Sequence, residues 1–124
     1  MLIGQLPSEL GILSEIRYFE VQSDGLFGPL PHSISNWKML NTLLLNWNKG
    51  GLEGTLEVLQ NNELLGTIFV NGNRFNGTLD FLSSLRNLQW FEAMHNSIVG
   101  NLPEGITGLE QLSELFCFVY CQFC

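Results

Sequence analysis

The amino-acid sequence predicts an α/β repeat solenoid, and three observations support this fold class. A closing glycine recurs every 23–26 residues or so, and apolar residues occupy matching positions between these glycines. An asparagine or aspartate follows the apolar positions of each complete unit. A period of this length is typical of stacked repeats in which each unit buries its apolar side against its neighbours. The closing glycines are Gly28, Gly54, Gly77 and Gly100.

Each unit contains one segment in which apolar and polar side chains alternate, and this alternation predicts a β-strand. In the first unit Phe19 and Val21 are predicted to point inward, with Tyr18, Glu20 and Gln22 outward. Stacked strands predict a parallel sheet on the concave face of a right-handed solenoid. On the convex face, apolar residues every three or four positions predict short helical or 3₁₀ turns. The predicted strands are residues 17–22, 41–46, 66–71, 89–94 and 113–118.

We expect residues 1–124 to form a single array of about five units. Leu2 and Gly4 match Leu26 and Gly28, so the array is expected to begin part-way through a unit. The last segment is apolar and uncharged, whereas terminal repeats usually carry a polar face, so terminal caps are expected to be missing. The approximate units are 1–27, 28–53, 54–76, 77–99 and 100–124.

The asparagine of each unit has a predicted structural role. The chain turns inward after each strand, and an amide side chain offers two donors and an acceptor to peptide groups that would otherwise be buried unpaired. An ionised aspartate can only accept, so the first unit is expected to be held more weakly. Extra residues at 49–51 predict a local bulge. The predicted ladder residues are Asp24, Asn48, Asn73 and Asn96, and Tyr120 stands at the corresponding position of the last unit.

Charge and composition exclude several classes of function. The net charge is −7, from 5 Lys and Arg against 12 Asp and Glu, so a nucleic-acid partner is not expected. The sequence has no apolar run of membrane-spanning length, and residues 1–4 lack the features of a secretory signal. No motif joins His32 or His95 to a nucleophile or a carboxylate, so neither an enzyme nor a cofactor is predicted.

Three cysteines lie close together near the end of the sequence. Cys117, Cys121 and Cys124 could supply three thiolates, but zinc sites usually need four ligands, so no metal site is predicted. Cys117 occupies an inward strand position, for which core packing is the natural role. Whether the three form disulfides is left open.

The segments GQLPSEL, GPLPHSI and GNLPEGI, followed by leucines and N-x-L-x-G or a close variant, resemble the plant-type leucine-rich repeat. This repeat occurs in receptor-like kinase ectodomains, receptor-like proteins and polygalacturonase-inhibiting proteins. The resemblance implies a curved, often extracellular scaffold with a role in signal transduction, which binds a peptide, a protein or a carbohydrate through its strand face. An inhibitor of a secreted cell-wall hydrolase and an intracellular scaffold are the alternatives.

The outward strand positions are predicted to hold the binding site, since the inward positions are committed to packing. Several are apolar, and exposed apolar and aromatic clusters usually mark contact surfaces. Trp47 and His95 would extend this patch, and Glu20 together with Glu92 would select against acidic partners. Alternatively, some of these residues pack against neighbouring repeats. The predicted ligand-binding residues are Tyr18, Leu44, Phe69, Trp90, Glu92 and Met94.

A glycosylation sequon occurs at Asn76-Gly77-Thr78. It lies in the turn that follows a predicted strand, where the asparagine side chain is expected to face solvent. Asn76 is therefore a candidate glycosylation site if the protein is secreted.

Overall fold

A computed structural model describes residues 1–117, along which short strands alternate with 3₁₀ turns. The strands are β1 (Ile3–Gly4), β2 (Tyr18–Glu20), β3 (Gly25–Pro29), β4 (Thr42–Leu44), β5 (Gly51–Thr55), β6 (Thr67–Phe69), β7 (Arg74–Asn76), β8 (Trp90–Glu92) and β9 (Glu114–Phe116). The 3₁₀ turns are Ser8–Ile12, His32–Asn36, Glu57–Asn61, Asp80–Ser84 and Glu104–Gly108.

Strands β2, β4, β6, β8 and β9 form a parallel sheet in that order, which we term the concave sheet. Its strands are three residues long, whereas the alternation predicts six. The backbone hydrogen bonding nevertheless continues past the strand ends, for example from Val21 N to Leu44 O (3.0 Å) and from Leu45 N to Phe69 O (2.8 Å). The position of each strand was therefore predictable, and its length was overestimated because alternation persists into the following turn.

A second parallel sheet, in the order β1-β3-β5-β7, was not predicted. Strands β3 and β5 contain the closing glycines Gly28 and Gly54, with φ of 81° and 80°, and Gly77 (79°) directly follows β7. Glycine adopts this conformation without steric cost, but it contributes no side chain to an alternating pattern. The two-residue period by which a strand is recognised is consequently absent from these segments.

The core lies between the two sheets and the 3₁₀ turns. The inward residues of the middle strands, Leu43, Ile68 and Phe91, are fully buried. Leu13 of the first unit is 54% exposed, although its equivalents Trp37 and Leu85 are buried. Within the described residues, the first unit is packed against a neighbour on one side only, so its apolar side chains are less covered.

Buried asparagine side chains connect successive units. The Nδ2 of Asn73 donates to Leu45 O of the preceding unit (2.8 Å) and to Val70 O of its own unit (3.1 Å). Its Oδ1 accepts from Leu52 N of the preceding unit (3.2 Å). Asn96 makes the equivalent bonds one unit later, accepting from Phe75 N at 3.0 Å. The side chains of Asn48, Asn73 and Asn96 are termed the amide ladder.

Asn48 is the incomplete member of the amide ladder. Its Nδ2 donates to Val21 O (3.1 Å) and Leu45 O (3.0 Å), but its buried Oδ1 has no hydrogen-bond partner within residues 1–117. The extra residues form a turn at positions 49–50, and this turn lies against the preceding unit so closely that a Cβ on Gly50 would be 2.8 Å from Leu26 O.

Asp24 makes a simpler contact than the asparagines. Its Oδ1 accepts a hydrogen bond from Leu2 N at 2.8 Å. An ionised carboxylate has no N–H, so it cannot donate to the strand-end carbonyls that Asn73 and Asn96 satisfy. The first unit therefore lacks the donor half of the ladder interaction.

A second set of polar contacts between units lies at the ends of the 3₁₀ turns. Asn62 is fully buried and donates to Ile34 O (2.9 Å) and Trp37 O (3.0 Å). At the matching position of the preceding unit, Trp37 donates from Nε1 to Leu10 O (2.9 Å). The sequence pattern missed these contacts because leucine occupies the position in later units, for example Leu85. Asn62 thus stands at an apolar position but acts as an inter-unit donor.

We predict that Asn73→Ala lowers the free energy of unfolding by about 1–3 kcal/mol, because it leaves buried peptide groups without partners. Asn36→Ala is the matched control, since Asn36 is exposed and its side chain makes no hydrogen bond among the described residues. Urea denaturation followed by circular dichroism would measure both. Equal stability of Asn73→Ala and the unmodified protein would contradict a structural role for the ladder.

Candidate functional site

The outward residues of the concave sheet form rows that run across the strands. Neighbouring strands are about 4.8 Å apart, so consecutive members of a row are close neighbours. The first row consists of Tyr18, Thr42, Thr67, Trp90 and Glu114. The second row consists of Glu20, Leu44, Phe69, Glu92 and Phe116. A third row, just beyond the strands, consists of Gln22, Asn46, Asn71 and Met94.

The middle of this face is apolar. Leu44 and Phe69 are adjacent members of the second row and both are half-buried. Trp90 lies on the next strand beyond Phe69 and is 39% exposed. Such diagonal neighbours are about 7–8 Å apart at the backbone, within reach of aromatic side chains. Leu44 and Phe69 are therefore direct neighbours and Trp90 is placed diagonally from Phe69, with half-buried Met94 just beyond the end of the same strand as Trp90.

Tyr18 lies apart from this apolar centre. It is three strands from Trp90 in the first row, a separation of about 14 Å. Its side chain is 58% exposed, and its hydroxyl donates to Glu20 Oε2 at 2.7 Å. Tyr18 thus contacts the carboxylate on its own strand rather than the aromatic residues with which the sequence grouped it.

Two carboxylates of the second row are oriented by neutral donors. Glu20 accepts from the Tyr18 hydroxyl and from Gln22 Nε2, each at 2.7 Å. Glu92 Oε1 accepts from Asn71 Nδ2 at 2.8 Å, and Asn71 is only 5% exposed. Among the hydrogen bonds of residues 1–117, neither carboxylate has a lysine or arginine partner, so no cation is paired with either of them there.

Asparagines of the third row also join successive units. Asn71 N donates to Asn46 Oδ1 at 2.8 Å, and Met94 N donates to Asn71 Oδ1 at 2.7 Å. Asn71 therefore holds Glu92 and the backbone of Met94 at the same time. Met94 of this row was predicted to bind a ligand, whereas the bonds that Asn46 and Asn71 make between units were not predicted. Asparagine recurs at equivalent positions of two consecutive units, as Asn46 and Asn71, and this repetition is the sequence signal from which the inter-unit bonds could have been predicted.

Trp47 and His95 form an aromatic pair at the edge of the face. Their ring centroids are 5.3 Å apart and Trp47 is 51% exposed. Gly72 occupies the equivalent position in the unit between them, where φ is 68°, and an added Cβ would clash with the indole ring. Glycine is required here because the indole lies across the backbone. The matching position is Ser23, Trp47 and His95 in the other units, so the single glycine at Gly72 is the sequence signal for this contact.

A groove of about 480 Å³ adjoins Trp90 at the N-terminal ends of the strands. Its lining is mixed, with polar side chains such as Asn41 and Gln89 beside the apolar side chains of Met39 and Leu64. Asn41 and Asn87 donate to backbone carbonyls of neighbouring loops, so these side chains form a fixed wall. The groove leaves one side of the indole open to a ligand.

The remaining candidate residues lie away from the concave sheet or outside the described chain. Asn76 is exposed at the end of β7 in the second sheet. Cys117 is buried in the core. The predictions for Phe118, Tyr120, Cys121 and Cys124 fall outside residues 1–117.

No group of three or more histidine, cysteine, aspartate or glutamate side chains in residues 1–117 is placed to hold a metal ion. The same stretch contains no helix with the length and apolar character needed to cross a bilayer.

The paired parallel sheets, the 3₁₀ turns and the inter-unit amide bonds define a leucine-rich repeat solenoid. The chain shares this fold with solved receptor structures. It superposes on a TDR receptor with a TM-score of 0.89 and 34% identity, covering 97% of this chain and 21% of that one. For the plant peptide hormone receptor RGFR1 in complex with RGF2, the TM-score is 0.84 and the identity is 30%. That alignment covers 90% of this chain and 18% of the receptor chain.

Among curated proteins, the chain resembles receptor-like proteins of Arabidopsis thaliana. It is 31% identical to Receptor-like protein 39 over 91% of this chain, and 29% identical to Receptor-like protein 41 over the same share. The chain spans 16% of the length of each of these relatives. No protein-family model matches the sequence. The expected fold class and the resemblance to plant receptor-like proteins are both confirmed.

The hydrogen bond to Glu20 raises the pKa of the Tyr18 phenol above its usual value near 10, with smaller contributions from desolvation and the carboxylate charge. Because the folded-state pKa is raised, the contact is complete at neutral pH and is lost as the pH rises through that pKa. We predict that Glu20→Gln lowers the pKa of Tyr18, measured by NMR of ¹³C-labelled tyrosine. Tyr18→Phe assigns the resonance.

Glu92→Gln is the matched control for this titration, because it removes the same charge three strands away. It is expected to leave the pKa of Tyr18 unchanged. An identical Tyr18 pKa in Glu20→Gln and the unmodified protein would contradict the contact.

Proposed function

We propose that this chain recognises a protein or peptide ligand through its concave sheet, as the leucine-rich repeat region of an extracellular receptor-like protein. The observation that carries the proposal is the apolar centre formed by Leu44, Phe69 and Trp90 on an outward face. These three side chains lie outside the buried core cluster, so they are available for contact with a partner. Tryptophan and tyrosine are also enriched among residues that dominate binding energies.

The surroundings of the apolar centre favour recognition of a polypeptide. Phe69 and Trp90 supply apolar contact area, whereas fixed amides and carboxylates border them on both sides. Interfaces commonly combine a buried aromatic centre with a polar rim that pairs with the partner's backbone and side chains. The hydrogen bonds within the rim hold it in place before binding, which reduces the entropy lost on association.

Similar proteins support the same proposal. The structural neighbour RGFR1, 30% identical to this chain, is described as a plant peptide hormone receptor in complex with RGF2. The curated relatives are receptor-like proteins. We extend peptide recognition from that neighbour to this chain because both carry their outward residues on the same kind of parallel sheet.

We predict that Phe69→Ala combined with Trp90→Ala weakens ligand binding by at least about tenfold, since truncated hot-spot residues typically cost more than 1 kcal/mol each. The probe is a peptide selected from a random phage-displayed library on the unmodified protein. Affinity is measured by biolayer interferometry, and circular dichroism verifies folding. The single Trp90→Ala variant, which changes an exposed side chain, is tested in parallel in case the double variant is unstable.

Ile12→Ala combined with Phe27→Ala is the matched control. Both side chains are exposed and apolar, and both lie outside the concave sheet. This variant is expected to bind the selected peptide like the unmodified protein. If the concave variants retain full affinity while folded, or if the control variant loses it, recognition through the concave sheet is wrong.

We predict that Asn76 is glycosylated when the protein is expressed with a secretory signal in plant cells. Its side chain is exposed at the end of β7, and Gly77 and Thr78 complete the sequon. Intact-mass analysis is expected to show a glycan that glycosidase removes and that Asn76→Gln abolishes. Secreted protein with an unmodified Asn76 would contradict this prediction.

A further inference from the structure

The second row of the concave sheet has a symmetric order of chemical groups. Its first four members are a carboxylate, a leucine, a phenylalanine and a carboxylate. Each is the direct register partner of the next, through Glu20↔Leu44, Leu44↔Phe69 and Phe69↔Glu92. Two negative charges therefore border an apolar pair along one straight line across the strands.

The spacing of this row matches that of an extended peptide. Glu20 and Glu92 are three strand positions apart, which is about 14 Å. An extended chain advances about 3.4 Å per residue, so residues i and i+4 are also about 14 Å apart. Residues i, i+2 and i+4 of such a chain share one face. A peptide lying across the strands would place residues i and i+4 over the carboxylates and residue i+2 over Leu44 and Phe69.

The charge of the face defines which side chains fit at the two ends. Tyr18 and Gln22 orient the Glu20 carboxylate, and buried Asn71 orients that of Glu92. All three donors are neutral, so the charges are positioned but not compensated. The chain as a whole carries a net charge of −7. A basic side chain complements each position, whereas an acidic one would be repelled.

We propose that the concave sheet selects extended peptides with the pattern basic–x–apolar–x–basic, in which Glu20 and Glu92 bind the two basic side chains. This inference rests on the proposed function and specifies the chemistry of its ligand. Leu44 and Phe69 receive the central apolar side chain. The distance between the carboxylates sets the spacing, so basic residues two or six positions apart meet only one carboxylate.

The test uses a random phage-displayed peptide library and variants of the two carboxylates. Peptides selected on the unmodified protein are expected to be enriched in lysine or arginine four positions apart, with an apolar residue midway. Glu20→Gln and Glu92→Gln are each expected to weaken binding by about threefold to fivefold, and the double variant by about tenfold or more, in low salt. Raising the salt concentration is expected to narrow these differences through screening.

Glu53→Gln is the matched control, because Glu53 is an exposed carboxylate on β5 of the second sheet. It removes the same charge and is expected to leave affinity unchanged. Glutamine can still accept the bonds from Tyr18 and Asn71, so the Glu20 and Glu92 variants are expected to fold normally.

A synthetic peptide with lysine–serine–leucine–serine–lysine at its centre is compared with one in which the lysines are six positions apart.

The outcomes separate this inference from the proposed function. Suppose that the selected peptides lose affinity for the Phe69 and Trp90 variants. If they lack the basic–x–apolar–x–basic pattern, or bind the Glu20→Gln and Glu92→Gln variants as tightly as the unmodified protein, the proposed ligand chemistry is wrong, but recognition through the concave sheet is supported. If no selected peptide depends on Phe69 and Trp90, concave recognition fails and the ligand chemistry fails with it.

Discussion

The hydrogen bonds that buried asparagine side chains make between successive units are the constraint on which the rest of the structure depends. At the end of each concave strand, the chain turns into the core and carries its peptide groups away from water. Asn73 and Asn96 satisfy these groups in their own unit and in the unit before, so each asparagine fixes both a turn and the stacking of two units. A shift of one unit against the next would break several buried hydrogen bonds at once.

This constraint determines where recognition can take place. Inward strand residues are fully committed to packing between units, so chemistry for a ligand is left to the outward rows. Asn71, which lies two residues after β6, makes a similar connection at the surface. It joins two successive units and also orients Glu92. The apolar centre and the carboxylates therefore belong to a face whose geometry is set before a ligand arrives. Such preorganisation lowers the entropy cost of binding.

The sequence predicted what depends on periodicity and missed what depends on single departures from it. The concave strands follow from alternation, and each unit repeats the same alternation. The second sheet was missed because glycines such as Gly54 interrupt the pattern at positive φ. Asn62 stands at a position that is apolar elsewhere, so the period itself concealed it. The contact of Trp47 with His95 across Gly72 depends on a side-chain direction that no period encodes.

The grouping of site residues was limited for a related reason. The register placed Leu44, Phe69 and Trp90 on neighbouring strands, but it gave no measure of distance between the ends of a row. Tyr18 consequently entered the same ligand set although it lies three strands from Trp90 and contacts Glu20 instead. Matching positions in a repeat thus identify which residues share a face, whereas the strand order decides which of them can touch one ligand group.

Amide hydrogen exchange measured by NMR tests the central constraint most directly. The N–H groups of Leu52 and Phe75 donate to the side chains of Asn73 and Asn96 rather than to a neighbouring strand carbonyl. If the ladder holds the units together, both protons exchange as slowly as those of core residues such as Ile68, and Asn73→Ala selectively accelerates exchange at Leu52. Rapid exchange of both protons in the unmodified protein, at rates typical of exposed loops, would contradict the account.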